Sequence, residues 1–150
     1  MKTIEEILTE HPLFQGMEQN YLEWISGCAS NTQFRAGEFI FHEGEDAHYF
    51  YIIRHGKVTV ETFAPGRGAI TFQVLKENDV LGWSWLFPPN KWAFDARALD
   101  LTRALIFDGR CLRGKFTEDP RLGYELMQRF ASVITQRLQA TRMQLMDLKF

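Results

Sequence analysis

Glycine residues divide the middle of this 150-residue chain into short segments that are rich in strand-forming residues. Six such segments follow Thr32: FRAGEFIFHEG, HYFYIIRHG, KVTVETF, AITFQVL, AFDARAL and TRALIFDG. The punctuating glycines stand at positions 37, 44, 56, 66, 68, 82 and 109, a spacing that suits tight turns. Many short strands of this kind predict a closed or double-sheet β-roll over residues 32–108, a double-stranded β-helix of jelly-roll type.

Helical patterns precede the predicted roll. Residues 1–31 contain a capping box formed by Thr3 and Glu6, which is typical of a helix start. A second apolar stripe at helical spacing runs from Leu22 to Cys28. We therefore expect short N-terminal helices before the first strand.

A single long helix is predicted over residues 119–150, with Pro120 in its first turn. One stripe recurs along it at spacings of three and four: Leu122, Leu126, Phe130, Val133, Ile134, Leu138, Thr141, Leu145 and Leu148. The stripe is longer than one small roll can cover. A second copy of the same helix would bury the remainder, so we predict a homodimer through this helix; a lone helix that packs only on its own core is the alternative.

The totals fit one globular domain over residues 1–150 and limit its partners. A net charge of −2 and a pI near 6.1 argue against a surface built to bind nucleic acid. No apolar run approaches the roughly 18 residues that span a bilayer, and MKTIEEILTE lacks a signal-peptide core. We expect no membrane segment and a cytoplasmic location. Cys28 and Cys111 are far apart in the sequence, so we expect reduced thiols, each a small buried apolar side chain.

Three of the four tryptophans stand within ten positions of each other, in LGWSWLFPPNKWAFDARAL, residues 81–99. They are Trp83, Trp85 and Trp92. An indole ring offers one hydrogen-bond donor, no acceptor and a large apolar face. Such a cluster is typical either of an apolar ligand pocket or of a hydrophobic core.

The order of these features resembles the cyclic-nucleotide-binding domain of the catabolite activator protein family over almost the whole chain. HPLFQGM is similar to the opening segment of that family, and FRAGEFIFHEGEDAHYFYIIRHGKVTVE follows its glycine-turned strands. NDVLGWSWLF stands in the place of the phosphate-binding cassette, and QRLQATRMQLMDL resembles the dimerisation helix. The resemblance implies the β-roll fold, a ligand site at the cassette and a dimer through the last helix.

The nucleotide-binding residues that the resemblance implies are replaced in this sequence. The family has a ribose-binding glutamate after the cassette glycine, but here Trp83 follows Gly82. The family then has an arginine that pairs with the cyclic phosphate, and Trp92 stands there, followed by Ala93, with one residue deleted before it. Loss of a buried charge-assisted pair costs on the order of 2–5 kcal/mol. We therefore expect no cyclic AMP binding in the usual manner of the family.

Three interpretations of the tryptophan cluster are open. In the first, the three indoles line an apolar pocket for a different small ligand, with Ser84 and the backbone amides after Gly82 as polar groups. In the second, the indoles fill the pocket and leave a ligand-free dimerisation or interaction module. In the third, a cyclic nucleotide binds weakly, with stacking in place of ion pairing.

The last helix offers two further candidates for ligand contact. Thr141 stands where the family has a threonine that reaches the nucleotide base, and Arg142 follows it. The cation of Arg142 could enter its own pocket or that of a second copy, and a solvated arginine on the helix flank is the alternative. Arg97 is predicted to point away from the face of Trp92 and to pair with Asp95 or face solvent.

The sequence contains no motif that is typical of a metal site, a haem site or an enzyme active site. The four histidines, at positions 11, 42, 48 and 55, lack the HxH spacing of a cupin metal site, so we expect no metal. No CxxCH, GxSxG or Walker A motif is present, and we expect no enzyme activity. Residues 121–150 carry five basic and two acidic side chains spread around a helix. This distribution indicates a solvent face, and we expect no direct DNA binding.

These expectations describe a stand-alone, homodimeric sensor domain without the helix-turn-helix domain of the family's transcription regulators. Occupancy of the pocket by an unidentified small ligand would change the geometry of the helix pair, which a partner protein would read. A ligand-free dimerisation module is the second hypothesis. A weak cyclic nucleotide binder and a small-molecule enzyme without a recognised motif follow as more distant alternatives.

Overall fold

The structure, a computed structural model, describes residues 1–149. Its helices are α1 (Ile4–Glu10), α2 (Gln19–Ser26), α3 (Gly109–Glu118) and α4 (Pro120–Lys149). Its strands are β1 (Ala29–Phe34), β2 (Phe39–Phe41), β3 (Tyr49–His55), β4 (Val58–Ala64), β5 (Gly68–Leu75), β6 (Val80–Leu81), β7 (Asp95–Ala98) and β8 (Thr102–Asp108). Two short 3-10 turns, Pro12–Phe14 and Ser84–Leu86, complete the regular structure of this part of the chain.

The strands form two four-stranded antiparallel sheets. Sheet A has the order β1-β8-β3-β6, and sheet B has the order β2-β7-β4-β5. The predicted fold class, mainly β with flanking helices in a jelly-roll-like β-roll, is confirmed. The turn at Gly56 shows why the chain needs glycine between strands: its φ is +98°, and a Cβ there would lie 2.6 Å from the carbonyl oxygen of Leu101.

Three elements differ from the sequence-based expectation. Strand β1 begins at Ala29, before the expected start of the roll at Thr32. It lies at the edge of sheet A and its sequence, ASNTQF, is mostly polar, so it lacks the apolar alternation that indicates a strand. Strand β6 has only two residues, and α3 fills the interval before the last helix. The start of α3 is fixed by Asp108, whose side chain accepts hydrogen bonds from the backbone N–H groups of Arg110 and Cys111.

A first hydrophobic core lies between the two sheets. It consists of Phe41, Ala47, Tyr51, Ile53, Val58, Val60, Leu75, Leu81, Trp92, Ala96 and Ala104. Trp92 stacks on Phe41, with 3.7 Å between the ring centroids and 6° between the planes. We call this cluster the roll core.

A second hydrophobic core lies on the opposite face of sheet A, where the helices pack. Strand residues that alternate with those of the roll core contribute to it, namely Phe50, Ile52, Leu105 and Phe107. The helices add larger side chains: Ile7, Leu8, Phe14, Tyr21, Leu22, Ile25, Leu112, Leu122, Leu126 and Phe130. Trp85 is fully buried within this cluster, which we call the helical core.

The two cysteines form a disulfide, with 2.05 Å between the sulfur atoms and 5.7 Å between the Cα atoms. The expectation of reduced thiols is therefore wrong for this structure. Cys28 follows α2, and Cys111 lies in the first turn of α3, so the bond joins the two ends of the β-roll. The two cysteines are 83 residues apart in the sequence, and no local pattern indicates that the fold brings them together.

Helix α4 divides into a packed half and an exposed half. Leu122, Leu126 and Phe130 are buried in the helical core. Beyond them the helix runs beside sheet B, where the side-chain amide of Gln144 donates to the carbonyl oxygen of Phe72 at 2.6 Å. Several large apolar side chains of this half are exposed: Leu138, Met143, Leu145, Met146 and Leu148. Phe150, the last residue of the predicted helix, lies outside the described residues. No helix among residues 1–149 is both long enough and apolar enough to cross a membrane.

Candidate functional site

The segment between β6 and β7 carries the three clustered tryptophans, and we call residues 82–92 the tryptophan loop. It begins at Gly82, whose φ of +97° is a left-handed conformation that glycine adopts at little cost. The 3-10 turn Ser84–Leu86 follows. The side-chain amide of Asn90 donates to the carbonyl oxygens of the first two residues of this turn, both at 3.0 Å. These hydrogen bonds hold the loop closed on itself.

Trp92, at the end of the tryptophan loop, is 4% exposed and belongs to the roll core. Its ring crosses Gly82 so closely that a Cβ at that glycine would lie 2.8 Å from two of its carbon atoms. Its backbone is fixed as well, because its N–H donates to the oxygen of Glu45 at 2.9 Å. Stacking on Phe41 therefore draws Trp92 between the sheets, and the structure differs here from the expectation of a residue that lines a pocket.

Trp85 points to the other side of sheet A, into the helical core. Its ring stacks on Phe50 at 5.2 Å and meets the edge of Phe130 of α4 at 5.5 Å. It also packs against Gly109, where a Cβ would lie 2.8 Å from the indole. Its Nε1 is buried and has no hydrogen-bond partner in the described part of the chain. Trp85 is therefore a packing residue, and it too departs from the expected pocket lining.

Trp83 is the member of the cluster that borders open space. It is half-buried, and its ring lies edge-on to Phe94 with 6.3 Å between the centroids. The guanidinium carbon of Arg137, from α4, lies 5.6 Å from the centroid of the same ring. This distance is typical of a cation–π contact. Trp83 thus connects the tryptophan loop to the last helix.

A cavity of about 350 Å³ lies beside Trp83, between sheet B and α4. Its lining is mostly apolar: Val60, Phe72, Gln73, Trp83, Phe94, Ile134, Arg137, Leu138 and Thr141. The roll, the tryptophan loop and α4 each contribute side chains. We call it the Trp83 cavity, and its size lies near the lower end of the roughly 300–1,000 Å³ of small-molecule sites.

Arg137 is the charged residue of this lining. One of its N–H groups donates to the carbonyl oxygen of Val80. No carboxylate lies within ion-pair distance of it anywhere in residues 1–149. Burial lowers the pKa of the guanidinium, and the more distant carboxylate of Asp79 opposes that shift. The cavity therefore has one desolvated cation at its wall and a largely apolar interior.

A family model described as "Cyclic nucleotide-binding domain" matches residues 31–119, which is more than half of the chain. The chain belongs to the cyclic nucleotide-binding domain family. The CRP-like cAMP-activated global transcriptional regulator of Mycobacterium tuberculosis is 28% identical to it over 147 residues. That alignment covers 98% of this chain but only 64% of the regulator, so the chain spans somewhat less than two thirds of its relative's length.

Solved structures share the fold of this cyclic nucleotide-binding domain. A putative cyclic nucleotide-binding protein from Geobacter metallireducens superposes with a TM-score of 0.81 at 23% identity, covering 92% of this chain and 99% of that one. The catabolite activator protein of Thermus thermophilus superposes with a TM-score of 0.71 at 20% identity, covering 92% of this chain and 63% of that one. At these identities the similarities show the fold alone. The residues that line the Trp83 cavity are taken from this chain and not from its relatives.

The other predicted site residues of the domain lie in different places. Thr141 lines the Trp83 cavity, and its hydroxyl donates to the carbonyl oxygen of Arg137 at 3.0 Å. Ser84 is half-buried in the 3-10 turn, while Ala93 and Arg142 are exposed. The cavity lining includes none of these last three, nor Gly82, Trp85 or Trp92. Within the described residues the structure therefore brings together two of the eight predicted positions, Trp83 and Thr141.

Arg137, one of the five basic residues of the last helix, was predicted to lie on its solvent face. In the structure this side chain turns inward over Trp83. A signal was present, because Arg137 stands four positions before Thr141 and residues i and i+4 share a helix face. Phe72 and Phe94 were also missed as lining residues. Their role depends on how α4 packs beside sheet B, which strand patterns alone do not specify.

Arg97 points away from Trp92, as strand alternation predicts, but its partner differs from the expected Asp95. Its Nε and Nη2 donate to the two carboxylate oxygens of Glu61, at 2.9 and 3.2 Å. The hydrogen bonds to Glu61 and its charge raise the pKa of Arg97. The side chain of Glu61 is only 3% exposed, so this pair fastens β7 to β4 and has no part in the cavity.

A more polar cleft of about 420 Å³ lies on the other side of Arg137, between α4, the Pro12–Phe14 turn and the turn before β6. Two of its polar side chains, Arg129 and His11, are already engaged. Arg129 donates to the carbonyl oxygens of Leu13 and Gln15, at 2.8 and 2.9 Å. His11 Nε2 lies 2.7 Å from the oxygen of Asn78. These hydrogen bonds hold the N-terminal segment in place, and we assign no ligand to this cleft.

Proposed function

We propose that this domain is a regulatory sensor that binds a small molecule other than a cyclic nucleotide in the Trp83 cavity. The observation that carries the proposal is the composition of that cavity. It receives Trp83 from the tryptophan loop, Phe72 and Phe94 from the roll, and Arg137 from α4. One ligand would therefore contact all three parts of the domain at once.

We propose that the domain does not bind cyclic nucleotides, because two expected binding residues are replaced. The resemblance implies a ribose-binding glutamate at one position and a phosphate-binding arginine at the other. Trp83 and Trp92 stand there, and neither side chain can accept a hydrogen bond or carry a charge. The Trp92 ring also lies against Gly82. A nucleotide phosphate would have to displace this ring from its stack on Phe41.

The proposed signal passes from the cavity to α4 along two contacts. A ligand would touch the helix directly at Ile134 and Leu138. It would also touch Trp83, and two residues further along the same loop Trp85 meets Phe130 of that helix. A ligand that binds one arrangement of the helix more tightly than another shifts the population toward that arrangement.

The helix is proposed to act as a homodimer. Its second half exposes Leu138, Leu145 and Leu148, and the last of these is 83% exposed. Large apolar side chains in such a row are normally covered by a partner, and a parallel copy of α4 would cover them. We expect Leu145→Glu to shift the protein from dimer to monomer in analytical ultracentrifugation. Gln139→Glu, which adds the same charge on the same helix, is the matched control.

A ligand-free dimerisation module is the second candidate function. The burial of Trp85 and Trp92 favours it, because two of the three clustered indoles fill core and not pocket. A cytoplasmic location and a protein partner that reads the helix pair stay predictions under both candidates.

Titration monitored by tryptophan fluorescence and by thermal unfolding tests the proposal. We expect cyclic AMP and cyclic GMP to leave both signals unchanged at micromolar concentration, and a compound from a metabolite panel to change them. Trp83→Phe should remove the fluorescence change while the thermal shift remains. A saturable response to cyclic AMP would contradict the proposal, and no response to any compound would favour the ligand-free module.

A further inference from the structure

We propose that the ligand of the Trp83 cavity is a carboxylate with a flat, hydrophobic body, bound through Arg137. This inference rests on the proposed function, because it names the chemical class of ligand for the same cavity. The juxtaposition that carries it is one half-buried guanidinium at the wall of a cavity whose other lining side chains are apolar or uncharged.

Arg137 has hydrogen-bonding capacity that the protein does not use. A guanidinium has five N–H donors in a planar fork. Within residues 1–149 the side chain donates to one acceptor, the carbonyl oxygen of Val80. No carboxylate of the described residues forms an ion pair with it; burial disfavours the charged form, and only the more distant carboxylate of Asp79 opposes that effect. A carboxylate ligand supplies two oxygen atoms at the spacing of the fork, and such bidentate pairs are among the strongest hydrogen bonds in proteins.

The other side chains of the cavity lining favour a ligand with a hydrophobic body. Trp83 and Phe94 both line the cavity and meet edge-on at an interplanar angle of 70°, so two aromatic rings stand side by side at its wall. Aliphatic and aromatic side chains complete the lining, namely Val60, Phe72, Ile134 and Leu138. Flat ligand rings pack well on such surfaces by offset stacking and edge contact.

Charge and polarity limit the class further. The lining contains one cation and neither a carboxylate nor a histidine, so a single negative charge is balanced. Its uncharged polar side chains are Gln73 and Thr141, and the hydroxyl of Thr141 already donates to the backbone. A ribose with several hydroxyl groups would therefore lose more hydrogen bonds to water than the cavity returns. A volume of about 350 Å³ fits a body of one or two rings.

The test compares probes of equal shape and different charge. Naphthalene-2-carboxylate is titrated into the protein by calorimetry, and naphthalene-2-carboxamide serves as its neutral match. Benzoate and decanoate test ring number and flatness. We expect saturable binding of the naphthoate and about 10- to 100-fold weaker binding of the amide, since a hydrogen-bonded charge is lost. Decanoate should bind more weakly than naphthoate.

Variants assign the effect to Arg137. Arg137→Gln should weaken naphthoate binding by about 10- to 100-fold and leave the affinity for the amide nearly unchanged. Arg137→Lys keeps the charge without the planar fork and should lie between. Arg121→Gln is the matched control, because this arginine lies in the first turn of the same helix, has a side chain 70% exposed and does not line the cavity. Thermal unfolding of each variant verifies that it is folded.

The outcomes separate this inference from the proposed function. Equal binding of acid and amide, or equal loss in Arg137→Gln and Arg121→Gln, overturns the carboxylate and leaves a sensor of neutral apolar ligands. Absence of binding by every acid of the series overturns the carboxylate, whereas a different panel compound that still binds preserves the sensor. Tight binding of cyclic AMP overturns both.

Discussion

The two sides of the tryptophan loop differ in how completely they are packed. On the helical side, Trp85 is enclosed by Phe50, Phe116 and Phe130, with no solvent exposure. On the other side, Trp83 borders a cavity of about 350 Å³ and shares it with a cation. Trp83 and Trp85 are only two residues apart in one loop. The difference in packing therefore comes from the surfaces that the two rings face.

This difference indicates which side serves folding and which side is available for a ligand. Close packing around Trp85, which is fully buried, leaves no space for a ligand. Around Trp83, apolar surface and the guanidinium of Arg137 are left without a full set of partners. A ligand there would gain the contacts that the protein has not made, and the two tryptophans would respond differently to substitution.

The largest effect is expected from Trp85→Ala, which removes the largest side chain of the helical core. Large-to-small changes of this kind cost about 3–5 kcal/mol, because the cavity left behind is only partly filled. Urea unfolding followed by circular dichroism measures the loss. Trp85→Phe is the control. The indole N–H has no hydrogen-bond partner in the described residues, so this change removes no hydrogen bond and should lower the free energy of unfolding by less than Trp85→Ala does. A loss below about 1 kcal/mol for Trp85→Ala would contradict the packed side of the comparison.

Reduction of the disulfide should give the next largest effect, again on the helical side. The bond joins the end of α2 to the start of α3, and α3 places Phe116 against Trp85. A cross-link over so long a loop stabilises a protein by about 2–4 kcal/mol, chiefly by restricting the unfolded chain. Unfolding with and without dithiothreitol measures it. The double variant Cys28→Ser, Cys111→Ser should match the reduced protein and be insensitive to the reductant, and equal stability of all forms would refute the expectation.

A smaller loss, about 1 kcal/mol, is expected from Trp83→Ala, because the ring is half-buried and borders a cavity that exists already. The same change should abolish the response to a ligand of the cavity. We expect the opposite result for Trp85→Phe, which should lower stability measurably but retain the response to the ligand. If Trp83→Ala destabilises the domain as much as Trp85→Ala, the two sides are equally structural and the ligand-free module is favoured.

Sequence patterns predicted the roll and the long helix because both depend on local spacing. Glycines with positive φ, such as Gly37, Gly44 and Gly56, mark turns wherever they occur. The stripe that begins at Leu122 marks the buried face of α4. Strand β1 escaped prediction because it is a polar edge strand, and its place is fixed by pairing with β8 across the whole roll.

The site was harder to predict because neighbours in sequence point in opposite directions. Trp83 and Trp85 are two residues apart, but a 3-10 turn sends one to the cavity and the other to the helical core. Trp92 is drawn into the roll by Phe41, more than fifty positions earlier. The Cys28–Cys111 bond and the inward turn of Arg137 likewise depend on contacts between distant segments. Such contacts leave no periodic signal in the chain.

The smallest effect is expected in the pH dependence of stability, and it comes from His11. His11 is buried, with its Nε2 2.7 Å from the oxygen of Asn78 and its Nδ1 accepting from the N–H of Leu13 at 3.0 Å. Burial is the largest influence and lowers the pKa of His11. The hydrogen bond to Asn78 and the carboxylate of Asp79 oppose this shift, and the charge of Arg54 adds to it. The unfolded chain, whose histidine has a pKa near 6.5, therefore binds a proton at a higher pH than the folded protein does.

Stability should consequently be constant above about pH 7 and fall as the pH drops below about 6.5, since the unfolded state gains the proton first. Urea unfolding at several pH values measures the slope. In His11→Asn the side-chain oxygen can still accept from the N–H of Leu13, but it does not titrate in this range, so the slope should shrink. The lining of the Trp83 cavity holds no histidine or carboxylate, so naphthoate affinity should stay flat over the same range. A parallel fall in affinity and stability would mean that the two sides of the tryptophan loop act as one unit and not as a packed wall beside an open one.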